Sequence, residues 1–387
     1  MSDILILINL FGLVALCCWG IHVVRKRLKA KKIAKEEVRN RRVAEQEYFN
    51  GQEKDSRIRQ EESVSITKTE DVPADQDPED EIIRRIIAGE SFPEGTIIDH
   101  SLSFPSDVEY GDIILDGVII NGSVDMENIN ASGIVSFKRA VINGYFNIDD
   151  ACAERFDLQE IFIAGDIYAN CDARQGLYLS DSFVTEDFDV KGGQFSSDVI
   201  LENINIGGGF LSEKCSYSAA LVLSGAKIAQ IFDLDGAELK SIIAEKIEVG
   251  GEAYLQNSSF AEASTFRGSI FKSDCWLHGA VFESDADFSE MDIGGGLDGE
   301  DGNDCLECGG IFNLSGSKIG ASADLEGAVA DVLDIRSSVI AKDLYLQNSE
   351  VKEKFLYAGA EIGGDMDMSK ASIPTLEGLI VKGEITL

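Results

Sequence analysis

A refrain of eleven residues constrains this chain more than any other feature: apolar, variable, apolar, two corner residues, small, variable, apolar, then three spacers. It reads FDLDGAEL at 232–239, LVLSGAKI at 221–228, FNLSGSKI at 312–319, LYLQNSEV at 344–351, FLYAGAEI at 355–362 and MDMSKASI at 366–373. Leading positions fall at Ile167, Leu177, Phe188, Val199, Phe210, Leu221, Phe232, Ile242, Ala253, Ser264 and Cys275, then resume at Phe312, Ala323, Leu333, Leu344, Phe355 and Met366. Residues two apart in an extended strand point the same way. The first two apolar residues therefore form one inward pair, and the small residue forms another with the closing apolar one. An amphipathic helix is excluded, because the doublet has the wrong period and the Gly, Asn and Asp corners would break it. With so short a period, each unit buries its apolar side only against its neighbours.

Two units make four faces, so the refrain predicts an all-β parallel solenoid of about 22 residues per coil and roughly square section. From residue 97 onward about thirteen coils, stacked at ~4.8 Å, give a rod ~60 Å long. Inward rows are ladders of Ile, Leu, Val, Phe and Ala, and outward residues are expected to be the acidic ones. The formal net charge is −35, unevenly spread. Residues 1–60 hold 13 of the 34 Lys+Arg and 7 of the 69 Asp+Glu, which leaves −41 on residues 61–387. Such a body repels phosphate, which argues against direct nucleic-acid binding.

The N-terminal part reads differently. Ile4–Val24 is apolar apart from Asn9, His22 and small residues, and 21 residues at ~1.5 Å rise reach the ~30 Å of a bilayer core. No basic head and no small-x-small exit mark it as a cleaved signal. Arg25, Lys26, Arg27, Lys29, Lys31 and Lys32 follow at once, so residues 1–24 are expected as a single transmembrane anchor with the N-terminus out and the remainder cytoplasmic. Residues 25–50 favour a basic juxtamembrane helix, residues 25–32 of which would meet lipid headgroups. Residues 51–78 are polar and acidic with Pro73 and Pro78, a flexible linker. Residues 79–387 form the solenoid, with apolar pairs at 80–88 expected as a capping helix ended by Gly89. The remaining cysteines form no framework and suit small apolar fillers in a reducing compartment.

Ala237-Glu-Leu239, Ala226-Lys-Ile228 and Ala371-Ser-Ile373 resemble the Ala-x-Leu heart of pentapeptide-repeat proteins. That resemblance implies a right-handed quadrilateral β-helix, here with the five-residue beat alternating with a six-residue one. Similar relaxed repeats occur in bacterial proteins described as membrane-associated oxidoreductases, although no residue here supports that activity. A weaker resemblance is to bactofilins, polymer-forming β-helices beneath the bacterial membrane. Together these imply placement at a bacterial cytoplasmic membrane.

The refrain pauses between Ile293 and Gly310, and a loop at 294–310 is expected to leave the wall. Gly294-x-Gly296-x-x-Gly299 matches a dinucleotide fingerprint only in spacing, since no strand–helix unit surrounds it. Cys305-x-x-Cys308 offers two of the four ligands zinc needs, and Asp298, Glu300, Asp301 and Asp304 offer hard oxygens off the EF-hand spacing. The plainer reading is a solvated acidic loop, with no cofactor. His22, His100 and His278 join no catalytic motif. Self-association is expected through the C-terminal rung, carried by Met366, Met368, Ile373, Leu376, Ile380, Ile385 and Leu387, since an open sheet edge is a template for another chain. The leading functional expectation is a non-enzymatic membrane-anchored scaffold that presents an acidic β-helix to protein partners. A polymer-forming cytoskeletal element and a DNA-mimicking inhibitor are the alternatives.

Overall fold

The computed structural model describes residues 78–301, 304–373 and 380–386. The expected span at 1–24, the basic helix at 25–50 and all but the last residue of the linker at 51–78 lie outside them; Pro78 opens a helix instead. Among the described residues no helix is long and apolar enough to cross a membrane.

The first element among the described residues is the helix Pro78–Ile87. Proline suits its first position, where the missing N–H is no loss. Arg84 and Arg85 sit in the last turn, favourable to the helix dipole. Gly89 ends it at φ +73°, with Gly89 N donating to Ile86 O and Glu90 N to Arg85 O, the 5→2 and 6→1 pair of a Schellman stop. Ile83 and Ile86 enter the core cluster against the first coil.

Beyond it the chain winds as a right-handed parallel β-solenoid of about 13 turns and about 22 residues per coil. Each coil lays down four short strands. In the first coil they are Ile97–Ile98, Leu102–Ser103, Glu109–Tyr110 and Ile113–Ile114, which open the first to fourth faces. The first and second faces are each 14-stranded sheets in strict chain order. Ile97 pairs with Ile119 and Leu102 with Val124, one coil on in each case. From Ser216 onward the third and fourth faces are joined in several coils by a single longer strand, such as Ser216–Val222 and Glu350–Leu356.

Packing follows the alternation. Phe232, Leu234, Ala237 and Leu239 all point inward and are buried. Equivalent side chains stack from coil to coil: Phe210 on Phe232 with centroids 5.8 Å apart, and Phe260 on Phe282 at 4.4 Å and 4°. Fully burying each such side chain stabilises by about 1.5–3 kcal/mol. The interior is full, and the void among Leu306, Phe312, Leu333 and Leu346 has room for about one water, ≈ 10 Å³.

Corners explain much of the composition. Gly225, Gly236, Asn257 and Asn348 take positive φ there, the conformation that the Ser-Gly, Asp-Gly and Gln-Asn pairs suit. Aspartates do a second job. At the corner leading into the second face, Asp187 Oδ1 accepts the Gly209 N–H at 2.6 Å, Asp274 the Gly296 N–H at 2.6 Å and Asp343 the Asp365 N–H at 2.8 Å. Each carboxylate caps a backbone donor of the next coil, a charge-assisted bond stronger than a neutral one. The acidity of the wall is therefore partly architectural, which sequence alone had assigned to solvated outward side chains.

The expected loop at 294–310 is corrected to something smaller. Leu297–Asp298 continues the second face, pairing Cys275 with Leu297 and Leu297 with Ala323. Glu307–Asn313 carries the third and fourth. The insertion is only the antiparallel hairpin of Glu300–Asp301 and Asp304–Cys305, and it stretches one coil from Ile293 to Ile319. Ala286 and Leu297 are two leading positions of the refrain that the sequence pattern passed over.

Candidate interaction surfaces

With the interior filled, a specific contact on the solenoid uses its outer wall or its open end. Among the described residues the hairpin is the one outgrowth from the wall. Among the described residues no group of three or more His, Cys, Asp or Glu is placed to hold a metal ion. Cys308 points into the solenoid, stacked between Phe282 and Ala330, and its thiol donates to Ser284 O at 3.3 Å. Burial pushes that thiol up to about 11. Cys305 stays on the hairpin, half-buried, and burial together with Glu300, Glu326, Asp304 and Glu307 pushes it up as well. The two thiols are thus placed differently, Cys308 in the inward ladder and Cys305 on the hairpin. Asp298 Oδ1 accepts the Glu300 N–H at 3.2 Å, closing the turn into the hairpin.

Residues 244–292 match the family model for pentapeptide repeats (9 copies). Over that stretch the inward residues Val249, Leu255, Phe260, Phe266, Phe271, Leu277, Phe282 and Phe288 recur at alternating steps of five and six, all buried. Over residues 244–292 the coils are built of pentapeptide repeats. No curated protein sequence matches the chain.

The wall offers one outward residue per two-residue strand, and its rows change character along the solenoid. On the first face Ile97, Ile119, Val141, Phe162 and Phe183 stand in register on five successive coils. Asn205, Lys227 and Glu248 then succeed them. Ile97 is 39 % exposed at the end of the row, and its successors are half-buried. The Phe162 and Phe183 rings lie parallel, 5.5 Å apart and 9° from coplanar. Outward residues here are apolar, contrary to the acidic expectation. The fourth face has a shorter apolar run, Tyr178, Ile200, Val222 and Ile243. The second face mixes aspartates with rings: Asp233, Tyr254, Trp276 and Asp298 in register.

Not every outward acid is free. Asp157 is buried beneath Lys138, 2.6 Å away, and Arg155, 3.4 Å away. Where carboxylates crowd, burial first and then their neighbours raise their affinity for protons. Asp233 is raised in this way beside Glu213 and Asp235, and Asp324 beside Asp298, Glu300 and Glu326.

One surface recess is not signalled by the refrain. At 169–173 the chain reaches the third face one residue early: Ala153 pairs with Ala173, 20 positions on. The left-handed corner residue present as Asp150 one coil before and Gly192 one coil after has no counterpart there. The third-face ladder stops at Asp172–Ala173 and restarts at Gln194–Phe195. An open cleft of ≈ 670 Å³ results, walled by Asp150, Asp172, Gln194 and Ser216 over Cys171 and Phe195. Spacing alone signals it, since Ala169 and Cys171 are two apart where Val190 and Gly193 are three.

Of the expected self-association residues, Met366 and Met368 are buried in their ladder, and Ile373 is half-buried. Ile380 and Ile385 pair onto Glu361 and Met366 and remain 53 % and 47 % exposed. Leu376 and Leu387 lie outside the described residues.

Proposed function

We propose that this protein is a non-enzymatic, membrane-anchored scaffold whose acidic β-helix docks protein partners along its outer wall. Pentapeptide-repeat β-helices are generally structural or interaction proteins. The observation that carries the reading is an asymmetry between the two sides of the wall. Inward rows are mostly apolar, with small buried serines such as Ser264 among them, whereas outward rows change from Ile and Phe to Lys and Glu along one face. Variation that does not serve packing is free to serve recognition, and a stiff stack of coils holds it at fixed spacing. Placement at a bacterial cytoplasmic membrane rests on Ile4–Val24 and the cluster Arg25–Lys32.

Proximity labelling with the intact anchored chain in its own cells tests this. Proteins labelled by the wild type should be lost when outward residues are changed on a wall that stays folded. Labelling that depends only on residues 1–24 would overturn it.

A second reading, a polymer-forming element, is favoured by the half-exposed Ile380 and Ile385 on the last described coil. Filaments in negative-stain images of the full chain, lost in Ile380→Asp, would replace the first reading by this one.

A further inference from the structure

The interface between the fourth and fifth coils lacks one of its four ladders. Phe162 pairs with Phe183, Ile167 with Phe188 and Leu177 with Val199, so the first, second and fourth faces run through. The third does not. One coil earlier, the N–H groups of Asp172, Arg174 and Gln175 reach the carbonyls of Ala151, Ala153 and Glu154 at 2.8, 3.1 and 2.7 Å. One coil later, Ser216 N–H reaches Gly193 O at 2.8 Å. Between them, Gln194 N–H and Ser196 N–H reach no carbonyl among the described residues. The Ala173 carbonyl that Ser196 would meet instead takes Gly176 N–H of its own coil, at 3.4 Å. Ser197 Oγ, donating to Arg174 O at 2.5 Å, is a side-chain bond that crosses there.

Packing changes at the same place. The inward row of the third face is Ala131, Ala153 and Ala173 before the break and Phe195 and Tyr217 after it, all buried. The Phe195 ring lies on Tyr217, centroids 4.9 Å apart and 16° from coplanar, and has no ring in register on the other side. The ≈ 670 Å³ cleft brings solvent to this interface and to no other third-face step of the first five coils. The stability of a solenoid is close to a sum of coil terms and nearest-neighbour terms, so its weakest interface divides it. Each backbone bond not made, and the change from methyl groups to rings, weakens the term here.

We infer that this interface is a seam at which residues 78–178, the capping helix and the first four coils, open as one unit while the coils from residue 183 onward stay folded. Cooperative units of this kind are contiguous and open at less than the free energy of global unfolding. The wall thereby has a short length that opens and a long length that keeps its shape.

Hydrogen exchange of the full chain in neutral detergent tests this. Amides of residues 97–178 should share one level of protection, at least ~10-fold below that of residues 183–293, with the step between Tyr178 and Phe183. Val135 is buried in the second coil. Val135→Ala should raise exchange throughout 97–178 by at least ~10-fold and leave 183–293 unchanged. The same variant should speed alkylation of the buried Cys171, two coils away, without speeding that of the buried Cys275. Insertion of one glycine between Asn170 and Cys171 restores a two-residue corner and should erase the step. A smooth gradient of protection, a step elsewhere, or an effect of Val135→Ala that passes Phe183 overturns the inference. So does a folded insertion variant that keeps the step. Should the insertion prevent folding, Val135→Ala decides alone.

Discussion

Gly295→Ala is a small change with a large expected effect, because of what lies beneath it. The added methyl would sit inside van der Waals contact of Asp274 Oδ1 and 2.8 Å from the Asp274 backbone nitrogen. The carboxylate can swing aside, but it then releases the Gly296 N–H that it accepts at 2.6 Å. An unsatisfied, partly buried donor costs about 1–3 kcal/mol. The backbone contact cannot be relieved by any rotamer, and overpacking of this kind costs about 1–3 kcal/mol. Gly295→Ala should therefore destabilise by about 2–4 kcal/mol, Asp274→Ala by about 1–2 kcal/mol, and the double variant by at least 1 kcal/mol less than their sum. The non-additivity arises because, without the carboxylate, the methyl has only the backbone to meet. Urea denaturation of the four proteins gives the cycle, and hydrogen exchange at amides 274–298 locates the loss. Strict additivity, or a neutral Gly295→Ala, would refute the assignment of corner aspartates as backbone caps.

Other outcomes follow from the same geometry. Phe232→Ala removes a ring stacked on Phe210 and packed against Phe266 and Phe271, and it should cost about 3–5 kcal/mol by denaturant midpoint. Asp149, Asp233 and Asp324 bind protons more tightly when folded, so their contribution to stability grows as pH falls through the raised range and is complete below the unfolded value near 3.8. The urea midpoint should thus rise from pH 7 toward pH 5, less so in Asp233→Asn, and a fall specific to these groups would contradict the crowding. Iodoacetamide should modify Cys152 and Cys305 before the buried Cys171, Cys215 and Cys275. Its rate at Cys305 should keep climbing above the pH where an ordinary thiol levels off.

The architecture was legible in the chain because its physics is periodic. Phe232, Leu234, Ala237 and Leu239 state the inward set in one line of sequence, and the four buried side chains follow. The hairpin was overextended to 294–310 because Gly294-Gly-Gly296 looks like an exit from the wall. In the structure Gly294 and Gly295 are there because the Lys272 backbone and the Asp274 side chain leave no room for a Cβ. The cleft at 169–173 escaped notice because a one-residue deletion leaves both neighbouring apolar pairs intact. The apolar first-face row was obscured for another reason. Ile119-Ile120 and Phe162-Ile163 read as continuous hydrophobic pairs, and only strand pairing tells which member faces out.

Adjacent isoleucines offer the most direct measurement of the ladder itself. Ile113 is fully buried and Ile114 is 39 % exposed, although they share residue type, strand and coil. Ile113→Asp places a carboxylate among apolar rows and should cost more than 4 kcal/mol, with exchange protection lost across the first coils. Ile114→Asp should change the urea midpoint by no more than about 0.5 kcal/mol equivalent. Comparable losses from both substitutions, or a larger one at Ile114, would contradict the alternation on which the solenoid depends.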